Sequence, residues 1–165
     1  MAKIRIPPAI LLTAAGVGQH VLARDHWSAR RARTALAATV ATASAGLLGA
    51  TIWRFRRGRT TVDPVSPEKT STLITDGPNA FTRNPMYLGM AGLLLAHSIY
   101  RGSGVSLIPA AGFVFVIDRF QISLEEQALR EMFGTEFIQY CDLTPRWLGF
   151  KPFPGQADPQ SGPSD

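Results

Sequence analysis

Residues 34–53 read TALAATVATASAGLLGATIW, twenty positions without a charge, closed by Arg54. A bilayer core needs about 20 apolar residues of α-helix to cross it, so this stretch reads as a transmembrane span. Three further runs flank it. Residues 8–23 are moderately apolar but carry Gln19 and His20, while 85–100 and 104–117 are shorter and meet at the tight turn RGSG. Either of the last two could be a core helix of a soluble protein. Joined by so short a turn, they read better as a helical hairpin packed on the other spans. Beyond them, Leu129, Met132, Phe133 and Phe137 recur at helical spacing with charges between, which predicts an amphipathic helix over 122–139. Gly134 is placed to interrupt or end it. The predicted class is therefore all-α: a polytopic membrane helical bundle of about four transmembrane helices plus a C-terminal amphipathic helix.

The chain of 165 residues has the length of one domain. That domain is expected over 1–151, with the Pro/Gly/Ser-rich stretch 152–165, PFPGQADPQSGPSD, as a disordered tail. Net charge is +5, a balance that suits either nucleic acid or an anionic membrane surface. The basic clusters ARRAR (29–33) and RFRRGR (54–59) sit beside apolar runs, and no stretch interleaves basic residues with exposed aromatics. Membrane lipids, and not nucleic acid, are the expected partner. With four spans, the N-terminus, the 54–84 loop and the C-terminal segment share one side. That side carries twelve Lys/Arg against five on the other, so both termini are expected in the cytoplasm, as in a bacterial inner-membrane protein. The basic start and apolar middle of residues 1–23 resemble a signal peptide, but further apolar runs follow, and a cleavable signal is not expected. A single cysteine, Cys141, excludes an internal disulfide.

Two polar stretches fall on the same predicted side: GPNAFTRNPMYLG (77–89) and SLEEQALREMFGTEFIQY (123–140). Each has an ordinary structural explanation. Asn84 can be a helix N-cap with Pro85 in the first turn, Arg83 can reach the headgroups, and Tyr87 can be an interfacial anchor. Ser123 and Glu126 have capping-box spacing, and Glu126 with Arg130 makes an i, i+4 pair. Taken jointly they suggest more. A helix N-terminus presents unpaired N–H groups and the positive end of a dipole, so with Arg83 it suits a carboxylate or phosphate. Glu125 and Glu126 offer acceptors for an ammonium. An amino-acid headgroup bears both charges.

The 77–89 stretch, the hairpin, and then EEQALREMFGTEFIQYCDLTPRWL (125–148) together resemble the membrane methyltransferases related to isoprenylcysteine carboxyl methyltransferase and phospholipid N-methyltransferase, over about residues 70–150. The resemblance implies S-adenosylmethionine bound on the cytoplasmic side. Gly77, Arg83, Asn84, Pro85, Tyr87 and Gly89 would form one wall of its site, and Glu125 and Glu126 the other. Tyr140 and Arg146 match the closing segment and would meet the methyl acceptor, a lipid-borne or small hydrophobic molecule of isoprenylcysteine-carboxylate or phospholipid-amine type. Asn84 stands where histidine is usual, and Asn79 and Phe81 where tyrosines are common. Asn84 cannot titrate, so no acid–base role falls to it, and no catalytic residue is assigned. A membrane reductase using NADPH and a non-catalytic membrane module are the competing readings. No metal-ligand spacing is present. His97 is expected to satisfy a neighbouring helix, and Asp118-Arg119 to close the fourth span as a local pair or as an acid near the pocket.

Overall fold

The computed structural model describes residues 7–23, 30–57 and 72–148; the 152–165 tail and residues 58–71 of the 54–84 loop lie outside them. Four helices form the bundle: α1 (Pro8–Leu22), α2 (Arg30–Arg57), α3 (Pro85–Arg101) and α4 (Leu107–Val116). A short 3₁₀ turn, Gly77–Ala80, precedes α3, and another, Gly104–Ser106, leads into α4. Helix α4 does not stop at a loop. It continues through a π-helical turn, Ile117–Ile122, into α5 (Ser123–Leu143).

Local sequence explains most boundaries. Prolines open both α1 and α3 in the first turn, where the missing N–H costs nothing. Helix α3 ends at Gly102, whose φ of +64° is the left-handed conformation that favours glycine and whose N–H returns to the carbonyls of Ser98 and Ile99. Gly134 lies inside α5 at φ +50° and ψ −121°, so the helix breaks there. The second half folds back, with Phe137, Tyr140 and Cys141 packing against Leu73, Leu129 and Phe133. The expected interruption at Gly134 is found.

Two helical stretches, Arg30–Arg57 and Gly104–Leu143, are long and apolar enough to cross a membrane. Spanning 28 residues, α2 is roughly 42 Å long at about 1.5 Å per residue. Only 17% of its most apolar window is buried within the chain, and large apolar side chains such as Val17, Leu36, Ile108 and Phe115 face outward. Lipid is the solvent that such a surface fits. Packing inside the bundle relies on small residues, as it does where apolar burial supplies no drive. Gly89 and Gly92 of α3 lie against Ser44 and Leu48 of α2 so closely that a Cβ on Gly89 would stand 2.6 Å from Leu48 Cγ.

Several buried polar groups meet across the helices. Gln19 is fully buried; its Nε2 lies within hydrogen-bonding distance of Leu94 O, Ser98 Oγ and Ser106 O, and its Oε1 meets His97 Nδ1 at 2.9 Å. His97 thus satisfies a neighbouring helix, as expected. Arg101 donates to the carbonyls of His20 and Ala23, so the C-termini of α1 and α3 share one end. The start of α3 and the exit of α4 share the other, and the two polar stretches meet there.

Candidate functional site

The site is built at the N-terminus of α3. Asn84 occupies the N-cap position, but its side chain does not cap the helix. Its Nδ2 donates to Arg146 O at 3.0 Å. Thr82 fills the gap, its Oγ1 accepting the Asn84 N–H at 3.2 Å and donating to the same Arg146 carbonyl at 3.0 Å. The Arg83 N–H adds a bond to Pro145 O, and Tyr140 Oη donates to Asn79 O. The irregular segment 144–147 therefore lies as a strap across the loop that enters α3. Gly77, at φ +61°, turns the chain into this loop, next to Asp76, whose carboxylate is held by Arg54 at the end of α2.

Beneath the strap the charges converge. Arg83 Nη2 lies 3.0 Å from Glu126 Oε1. Arg146 grips the same carboxylate with two nitrogens, Nη2 at 2.6 Å from Oε2 and Nε at 3.1 Å from Oε1. Its Nη1 reaches Asp118 at 3.3 and 3.4 Å, and Trp147 Nε1 donates to Asp118 Oδ1 at 2.8 Å. The Glu126 side chain is 8% exposed and that of Arg83 11%, whereas Asp118 and Arg146 are 27% and 33% exposed, so the cluster is nearly dry at Glu126 and opens toward Arg146. The hydrogen bond to Glu126 raises the Arg146 guanidinium above its ordinary range, which fixes its charge. One turn away, Tyr87 Oη donates to Glu125 Oε1 at 2.5 Å and Gln121 Nε2 to the same oxygen at 2.8 Å. The π turn places Asp118, Gln121, Glu125 and Glu126 along one side of a continuous helix. Such turns recur at functional sites.

Of the residues singled out from the sequence, Arg83, Tyr87, Glu125, Glu126 and Arg146 come together directly. Asn84 and Tyr140 join through backbone carbonyls, and Pro85 is buried in the first turn of α3. Gly89 faces α2, where its role is close packing. Two structural readings change. Ser123 and Glu126 do not form a capping box, because the helix is already running: Ser123 Oγ donates back to Asp118 O, and Glu126 pairs across the fold with Arg83 and Arg146. Asp118 likewise pairs with Arg146 and Trp147 at long range. Thr82, Gln121 and Trp147 were not legible as site residues. Only the Gln121–Glu125 spacing carried a local signal, that of an i, i+4 hydrogen bond.

A lipid-facing helical bundle with a partly buried cluster of two arginines and several carboxylates at one end is the architecture of a membrane protein. Comparison with known proteins gives the class. The model of the phospholipid methyltransferase family matches residues 32–136, and the chain belongs to that family of membrane-associated methyltransferases. An uncharacterised protein of Haemophilus influenzae is 36% identical over 63 residues, 38% of this chain and the whole of that protein. No solved structure matches.

Proposed function

We propose that the protein is an S-adenosylmethionine-dependent methyltransferase of the bacterial inner membrane, with its site on the cytoplasmic face and a lipid-borne or small hydrophobic acceptor. The observation that carries this reading is the Arg83–Glu126 pair, 3.0 Å apart, buried and set beside the N-terminus of α3. An amino-acid headgroup presents a carboxylate and an ammonium on adjacent atoms, and this pair offers the matching opposite charges. The buried Nε of Arg83 has no hydrogen-bond partner, so the guanidinium keeps a donor for a further acceptor. Those residues fit the amino-acid end of the cofactor.

When bound, the cofactor supplies a methyl group activated by a sulfonium. The chain's own task is to hold and orient. Arg83 and the helix dipole take the carboxylate, Glu126 with Glu125 beside it takes the ammonium, and the strap excludes water from the cluster. Fixing donor and acceptor in reactive geometry can supply about 7–11 kcal/mol of such a barrier.

Titration calorimetry of the detergent-purified protein with S-adenosylhomocysteine, and separately with NADPH, tests the proposal. Saturable binding of S-adenosylhomocysteine alone is expected. Binding of NADPH alone would make the protein a reductase on the same scaffold.

A further inference from the structure

Arg83, Arg146, Glu126 and Asp118 form a single chain of contacts between two cations and two anions, with Glu125 beside it. Glu126 is the crowded member, shared by both arginines, whereas Asp118 accepts from Trp147 at 2.8 Å and meets Arg146 at the longer 3.3 and 3.4 Å. A zwitterionic headgroup that draws on both Arg83 and Glu126 competes with these pairs. Its carboxylate would draw on Arg83 and its ammonium on Glu126, and Arg146 would lose the carboxylate it now grips with two nitrogens. Arg146 is 33% exposed, so solvent offsets part of that loss and a nearby carboxylate the rest. Asp118 already lies within reach, so each charge regains a partner: headgroup carboxylate with Arg83, headgroup ammonium with Glu126, Arg146 with Asp118.

We propose that Asp118 is a positioning residue of this site, the second berth to which Arg146 moves when the headgroup's ammonium takes Glu126. The proposal rests on the reading of the site as one for an amino-acid headgroup. In this arrangement Arg146 competes with the ligand for Glu126, and Asp118 makes its departure affordable. The motion is small. Arg146 sits on the irregular strap, whose backbone is pinned by Thr82 and Asn84 through the Arg146 carbonyl, so the side chain alone swings. Asp118 also fixes Trp147, whose ring packs against the bundle core, and a purely structural role would act through that contact.

The test is calorimetry of the full chain in detergent with S-adenosylhomocysteine, on Asp118→Asn, Arg146→Met and the double variant. Asp118→Asn is expected to weaken binding several-fold, Asp118→Glu to restore part of it, and Arg146→Met to strengthen it. The double variant is expected to bind like Arg146→Met, because without the arginine the berth has nothing to hold. Should Arg146→Met not accumulate in membranes, Arg146→Lys gives the same rise in smaller measure, since it loses the two-pronged grip. Weaker binding in Arg146→Met or Arg146→Lys, or an Asp118→Asn loss that persists in the double variant, overturns the berth while leaving the headgroup site standing. A wild-type chain that binds no S-adenosylhomocysteine overturns both.

Discussion

Arg83→Lys separates a binding arginine from an interfacial anchor. Helix capping has no use for a cation at an N-terminus, where the dipole disfavours positive charge. A side chain that merely reached the headgroups would be exposed and would tolerate lysine. Arg83 is 11% exposed instead, with Nη2 on Glu126 and Nε unpartnered. Lysine keeps the charge and can still meet Glu126, so folding should survive. It loses the planar fork that holds a carboxylate at two points. The lost charged hydrogen bond is worth about 1.5–3 kcal/mol, which at about 1.4 kcal/mol per decade is roughly ten- to a hundredfold in affinity. Calorimetry with S-adenosylhomocysteine should show that loss in Arg83→Lys and none in Arg56→Lys, an exposed arginine on α2. Equal, wild-type affinity in both variants would refute the reasoning and reduce the stretch to a helix start.

Reporter fusions should place residues 70 and 150 in the cytoplasm and residues 27 and 102 outside, as the Lys/Arg asymmetry and the shared end of α3 and α4 require; opposite locations for 70 and 150 would separate the two halves of the site. Gly92→Ala drives a Cβ into Ser44 Oγ and should lower stability in detergent by about 1–3 kcal/mol, with thermal inactivation as the readout. Ser44→Ala in the same chain should restore most of it, and no recovery would mean that the strain lies elsewhere. Gln19→Leu removes the interhelical bonds to Leu94 O, Ser98, Ser106 O and His97, while Ser98 keeps its own bond to Ser106 O, and should cost about 1–2 kcal/mol, the worth of interhelical hydrogen bonds in a membrane. Ligand affinity should stay unchanged, because Gln19 lies at the opposite end of the bundle from the site.

The sequence by itself determined the four apolar helices, the start of α3 at Pro85, the turn at Gly102 and the break at Gly134. These follow from runs of apolar residues, of which two stretches reach a bilayer's thickness, and from the φ limits of proline and glycine, which act within a few residues. It also indicated that 77–89 and 123–140 share an end, since the two arms of a helical hairpin return the chain to the end it started from. The partners within the site were decided only by tertiary structure. Arg130 and Arg119 were the local choices for Glu126 and Asp118, yet burial under the strap gives Glu126 to Arg83 and Arg146, and Asp118 to Arg146 and Trp147. Ser123 lost its capping role because the π turn carries α4 onward without a new start, and Asn84 turned to the Arg146 carbonyl because the strap passes over it. A buried charge or amide takes whichever partner the packing brings close and dry, and the packing here joins segments far apart in the chain.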